Sequence, residues 1–116
     1  MAIDTQRLKD TYEQWDLAVL KELYAEDFEQ TEMDDATPPN APRKRTKQDL
    51  VQIFERNQDD SRVKITIDNM FSTDDHVAYT LTCTLSSGRR IVSNAILDVR
   101  DDQVVRDLAV QARKQE

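Results

Sequence analysis

The sequence predicts an α+β domain in which about three N-terminal helices pack against a curved C-terminal antiparallel sheet. Three observations carry that expectation. Apolar residues recur at steps of three and four as far as residue 58, a proline-rich polar stretch interrupts this first half, and after Arg62 apolar and polar residues alternate.

Asp4 or Thr5 can cap a first helix, since either side-chain oxygen can accept from the free N–H groups of a first turn. Leu8, Tyr12, Trp15 and Val19 then lay one apolar stripe along a helical face. Asp16 can begin a second short helix, because Leu17, Leu20, Leu23 and Tyr24 shift the stripe and Phe28 follows Glu26 and Asp27. The pattern reads as two helices or one bent helix. Residues 31–44 contain Pro38, Pro39 and Pro42, which lack a backbone donor and disfavour helix in the residue before each, so this segment reads as a long loop. Thr46 with Asp49 three residues on marks the start of a third helix, whose buried side is Leu50, Val51, Ile53 and Phe54.

Beyond the polar residues 57–62 the period becomes two. Val63, Ile65 and Ile67 alternate with Lys64, Thr66 and Asp68, and Val77, Tyr79, Leu81, Cys83 and Leu85 alternate with Ala78 and three threonines. Ser86, Ser87 and Gly88 form a hairpin turn into residues 90–99, and Asp101-Asp102-Gln103 turns the chain into residues 104–110. The expectation is a four-stranded meander with a polar, frayed tail at residues 113–116.

A chain of 116 residues with 38% hydrophobic and 34% charged residues fits one domain, residues 1–116, with a heavily charged surface. The net charge of −7 repels phosphate backbones and anionic lipid, which argues against nucleic acid or membrane partners. One cysteine, Cys83, cannot form an intrachain disulfide, the first residues lack the apolar core of a secretion signal, and no apolar run approaches the ~18 residues a membrane span needs. A cytoplasmic location is expected.

The segment WDLAVLKELYAEDF, the proline-rich acidic loop after it, a helix beginning RTKQDL and the twisted sheet together resemble the nuclear transport factor 2-like superfamily, and within it the SnoaL-like branch that includes relatives of ketosteroid isomerases and polyketide cyclases. The Gly88-Arg89-Arg90 turn also fits, while Thr46 stands where a glycine is usual. The resemblance implies a cone whose helices close one side of a curved sheet around an apolar pocket. It also implies a homodimer through the outer face of the sheet, a small apolar or polycyclic ligand, and chemistry that needs no cofactor.

Carried over residue by residue, the isomerase base falls on Glu32, a carboxylate that partial burial could tune for proton transfer. The isomerases' two hydrogen-bond donors fall on Leu8 and Leu97, neither of which can stabilise an oxyanion. Since losing one such donor costs ~2.7 to 4 kcal/mol, isomerase chemistry of that kind is disfavoured. The cyclase acid falls on Ala109. Asp107, two residues earlier, points to the same face and is a second candidate acid, whereas Asp98 points away from Leu97's face. Tyr12, Trp15, Met33, Phe54 and Tyr79 are the candidates for a pocket lining, with Tyr12 or Tyr79 supplying a phenolic hydrogen bond.

The remaining polar features have plainer readings. Glu32, Asp34 and Asp35 lack the glycine-containing spacing of a calcium loop and read as a solvated acidic loop, so no metal site is expected. His76 reads as a solvated turn residue and Cys83 as a small core residue. Arg43, Lys44, Arg45 and Lys47 precede a helix N-terminus, where the dipole disfavours cations; they are either a solvated loop or a dock for an acidic partner or anionic substrate group. Two functions follow. One is a small-molecule pocket protein with acid/base chemistry through Glu32. The other is a non-catalytic homodimeric interaction or carrier module, and a hollow or a filled cone separates them.

Overall fold

The computed structural model describes residues 3–37 and 40–114. Helix α1 spans Thr5–Glu13, α2 Leu17–Leu23 and α3 Lys47–Asn57; the strands are β1 Tyr24–Met33, β2 Arg43–Thr46, β3 Lys64–Ser72, β4 His76–Thr84, β5 Arg90–Arg100 and β6 Gln103–Lys114.

The helical half forms two helices before β1, not one bent helix. Asp4 caps α1 by accepting from the Arg7 N–H, Trp15 takes a left-handed φ of 52°, and Asp16 caps α2 by accepting from the Val19 N–H. The expected stripe therefore breaks at Trp15, whose indole Nε1 donates to the Val63 carbonyl at 3.2 Å. Helix α3 starts where Thr46 and Asp49 place it, with both halves of a reciprocal capping box formed.

The sheet corrects the expectation in two places. Residues 24–28 are not the end of α2, and residues 31–44 are not one long loop: Tyr24 enters extended backbone and β1 runs to Met33, while β2 returns beside it. The sheet thus has six strands in the order β2-β1-β6-β5-β4-β3. The meander from β3 to β6 is antiparallel as expected, but β1 joins β6 in parallel, so the sheet is mixed. The reason is tertiary. A ten-residue strand with polar side chains gains its hydrogen-bond ladder from neighbours on both sides, Glu29 to Glu32 from β2 and Tyr24 to Met33 from β6.

Register shifts bend the sheet. They fall between Tyr24 and Glu29 of β1, between Asp68 and Phe71 of β3 where Asn69 has φ 54°, and between Asp98 and Val99 of β5. The hairpin joining β5 to β6 turns through Asp101 and Asp102, both at positive φ, a backbone twist that matches the strands it joins. At the expected frayed tail, Arg113 and Lys114 continue β6, whereas Gln115 and Glu116 lie outside the described residues, as do Pro38 and Pro39 of the expected loop.

Leu8 and Tyr12 of α1, Leu20 of α2 and Phe54 of α3 pack onto Val77, Leu97 and Val104 of the concave face. Each fully buried side chain of this size contributes about 1.5 to 3 kcal/mol. Farther along β1 and β6 the inward positions are Gln30, Glu32, Asp107 and Gln111. The concave face turns polar there.

Candidate functional site

Alternation along β1 sends Phe28, Gln30 and Glu32 to the concave side, and alternation along β6 sends Asp107, Ala109 and Gln111 to the same side. The parallel register sets Gln30 beside Asp107 and Glu32 beside Ala109. Together with Ser93 of β5 these residues form the polar wall of a cavity of about 220 Å³. The opposite wall is apolar and aromatic, built from Trp15, Leu50, Phe54, Ile65 and Leu81.

Glu32 is 5% exposed and its carboxylate is held from three sides. Arg43 Nη1 donates to Oε1 at 2.5 Å, Arg45 Nη1 lies 3.0 Å from Oε2, and Gln111 Nε2 donates to Oε2 at 3.2 Å. Gln111 also donates to Ser93 Oγ at 3.2 Å. Arg43 reaches Asp34 at 3.3 Å as well. The expected solvated acidic loop is therefore corrected at Glu32: pairing with β2 buries it, and a buried carboxylate persists only when paired.

The basic run resolves in the same way. The antiparallel register sets Glu32 opposite Arg43, Thr31 opposite Lys44 and Glu29 opposite Thr46. Lys44 donates to Thr31 Oγ1 at 2.8 Å and Lys47 pairs with Glu26 at 2.8 Å. These cations meet carboxylates of the neighbouring strand, which offsets the unfavourable helix dipole.

Asp107 is 4% exposed and differently held. Gln30 Nε2 donates to its Oδ2 at 2.9 Å, and Gln30 Oε1 accepts from Arg45 Nη1 at 3.0 Å. Its Oδ1 is buried with no hydrogen-bond partner, alone in this among the described residues' side-chain polar atoms. Burial pushes the Asp107 carboxyl up to about 6; the Gln30 hydrogen bond and the Arg45 charge pull it down, and the Glu32 charge pushes it up. Such a group changes protonation near neutrality, which is what acid/base chemistry requires.

Three buried tyrosines feel the charge of this carboxyl. Tyr12 and Tyr24 share a hydroxyl–hydroxyl hydrogen bond of 2.5 Å, and the Tyr12 and Tyr79 rings lie 6.3 Å apart between centroids. Burial holds all three hydroxyls above their ordinary range, with the Asp107 charge adding to this, so they are neutral donors throughout the range in which Asp107 titrates.

Of the residues singled out from sequence, Glu32, Asp107, Tyr12, Trp15, Phe54 and Tyr79 all line this cavity. Met33 does not: it follows Glu32 on β1, and alternation turns it to the other side of the sheet. Cys83 lies on the cavity wall and burial raises its thiol, which suits a packing role. His76 is exposed, with Nδ1 2.8 Å from Asp75 and Nε2 3.4 Å from Asp98 on the outer side. Leu8 and Leu97 are fully buried core residues. Sequence reasoning missed Gln30, Ser93 and Gln111 and placed Arg45 only in a solvated or docking basic run; the signal for Gln111 was its two-residue spacing from Ala109 and Asp107. Among the described residues no group of three or more His, Cys, Asp or Glu side chains is placed to hold a metal ion, and no helix there is long and apolar enough to cross a membrane.

Three helices on a curved, unclosed mixed sheet with a polar-walled hollow define a nuclear transport factor 2-like fold, and solved structures share it. An NTF2-like protein of unknown function from Mesorhizobium loti superposes with a TM-score of 0.73 at 19% identity, covering 96% of this chain and 88% of that one. A proposed ketosteroid isomerase from Kribbella flavida DSM 17836 gives 0.72 at 19% identity, covering 97% and 77%. A loop-truncation variant of IdmH gives 0.68 at 22% identity, covering 92% and 91%. The SnoaL-like domain family matches residues 5–107, and the chain belongs to that family. The comparison with curated proteins finds no match.

Proposed function

We propose that this SnoaL-like protein binds a small, uncharged, largely apolar molecule in its cavity and performs cofactor-independent acid/base chemistry on it through Asp107. The observation that carries this reading is the buried Asp107 carboxyl on the cavity wall, with one oxygen committed to Gln30 and the other unpartnered. Ionised, it removes a proton from a carbon beside a ligand carbonyl; protonated, it returns that proton to another atom of the same skeleton, with no net change in composition. Tyr12 or Tyr79 donates to the oxygen on which charge develops. Glu32 is the electrostatic anchor of the wall, because its lone pairs already meet two guanidiniums and an amide.

Ligand size and charge follow from the same geometry. A cavity of about 220 Å³ is below the ~300 Å³ at which pockets for drug-sized ligands begin, so a one- or two-ring molecule suits it better than a polycycle. Arg45, the one cation among the described residues lining the cavity, is engaged by Glu32 as Arg43 is, which disfavours a ligand carboxylate or phosphate. Thermal-shift screening of one- and two-ring ketones and lactones should reveal binders that raise the melting point, since ligand at 100 times its Kd stabilises by ~2.7 kcal/mol. Binders should exchange their α-hydrogens in D2O with the wild type and not with Asp107→Asn; silence across a broad panel, or exchange undiminished in the variant, overturns the reading.

A homodimer through the outer sheet face is supported by that face's composition. Ile96, Leu108 and Val110 are 51%, 45% and 55% exposed, Ile96 is directly opposite Leu108, and Asp98 opposite Arg106 supplies opposite charges at the margin. Light scattering should return twice the chain mass for the wild type and the chain mass for Ile96→Glu; a monomeric wild type excludes the dimer.

A further inference from the structure

The two oxygens of Asp107 are not equivalent, and the cause lies two residues away along a hydrogen-bond chain. An arginine only donates, so the Arg45 Nη1 at 3.0 Å must meet the carbonyl oxygen of the Gln30 amide. The amide's other end is then its NH2 group, which has no acceptor capacity and faces Asp107 Oδ2 at 2.9 Å. A proton on the Oδ2 lone pair that this N–H meets would place donor against donor, and a proton on the other would weaken Oδ2 as its acceptor. The amide cannot flip to relieve this, because flipping would turn its NH2 toward Arg45. Oδ1 has no partner and meets no such conflict.

We infer that Gln30 is a positioning residue for Asp107: anchored by Arg45, it holds Oδ2 as a permanent acceptor and confines the carboxyl's exchangeable proton to Oδ1. This rests on Asp107 being the acid/base of the proposed function for its consequence, which is that the ligand gives its proton to, and receives it from, one defined oxygen. The arrangement itself is independent of any ligand. Its other charged and titratable neighbours are Glu32 on β1, the hydroxyls of Tyr12 on α1, Tyr24 on β1 and Tyr79 on β4, and Arg45 on β2. The tyrosines stay neutral through the range in which the carboxyl titrates.

The test is carbon and nitrogen NMR on the ligand-free protein. In the wild type the Asp107 carboxyl carbon should titrate near 6, and the Gln30 side-chain N–H resonances should move over the same pH range, because their acceptor changes charge. In Gln30→Met, similar in length but with no donor, the carboxyl midpoint should rise by about one to two pH units, the equivalent of one hydrogen bond to a charged group. Gln30→Glu should raise it further and Gln30→Asn should fall short of rescue. Gln30 resonances that ignore the titration, or an unmoved midpoint in a folded Gln30→Met, overturn the inference. The wild-type measurement needs no variant to fold. A ligand screen that finds nothing would remove the catalytic consequence while leaving this result intact.

Discussion

Glu32 and Asp107 stand on adjacent strands of one cavity wall, equally buried, and yet they are built for opposite purposes. Glu32 lies at the β2 edge of the sheet, where Arg43 and Arg45 neutralise it and an amide fills a remaining lone pair. Asp107 lies one strand inward, where its nearest cation acts through Gln30 and its other oxygen is bare. The first arrangement fixes a charge and the structure around it. The second leaves a charge poorly supported, which costs stability and yields a carboxyl that titrates near neutrality.

The sharpest test removes the supported charge. Glu32→Ala leaves two guanidiniums and the Gln111 amide facing a void, and breaking a buried pair from one side commonly costs ~3 to 5 kcal/mol. Because Arg43 and Arg45 retain some access to water, about 3 kcal/mol is expected, read as a lower urea midpoint. A loss below about 1 kcal/mol would mean that the clamp is no stronger than a surface ion pair, and the contrast between the two carboxylates would fail.

The unsupported charge should behave in the reverse sense. The Asp107 carboxyl lies at about 6 in the folded chain against an ordinary value of 3.8, so the folded state holds this proton more tightly than the unfolded state does. Its contribution to stability is fully present below pH 3.8 and is lost as pH rises through about 6. Asp107→Asn keeps the shape and cannot ionise, so it should gain on the wild type between pH 4 and pH 7.5, reaching ~3 kcal/mol. Paired thermal melts across this range provide the check. Parallel curves for the two proteins would show that the buried carboxyl carries no such penalty.

The same contrast explains which parts of the molecule were legible in the sequence. The meander from Val63 onward was readable because its concave positions, Ile67, Val77, Tyr79, Ala95 and Leu97, are apolar and alternate with polar ones. The turns at Gly88 and at Asp101-Asp102 announced themselves by residues that accept positive φ. Strand β1 was not readable, because its concave positions past Phe28 are Gln30 and Glu32, and a strand polar on both faces has no period to detect. Its start was disguised as well, since Leu23, Tyr24 and Phe28 fit a helical spacing equally well. Glu32 and Asp107 were found through resemblance and alternation, but Gln30 was hidden between the segments read as helix end and loop, and Arg45 was visible only as one cation of a basic run. Local pattern failed where the fold placed polar groups inside for the sake of the site.

The smallest expected effect separates the clamp from the element that carries its arginines. β2 is only four residues long and ends at Thr46, whose side chain accepts from the Asp49 N–H while the Asp49 carboxylate accepts from the Thr46 N–H. Thr46→Ala removes one half of this reciprocal pair and should cost ~1 kcal/mol. If β2 is held in place chiefly by Glu32, as the 2.5 and 3.0 Å contacts of Arg43 and Arg45 suggest, this loss should add to that of Glu32→Ala within about 0.5 kcal/mol. A double variant much less destabilised than the sum would mean that cap and clamp secure the same short strand together. Glu32 would then contribute to the site by way of α3 as well as through its own charge.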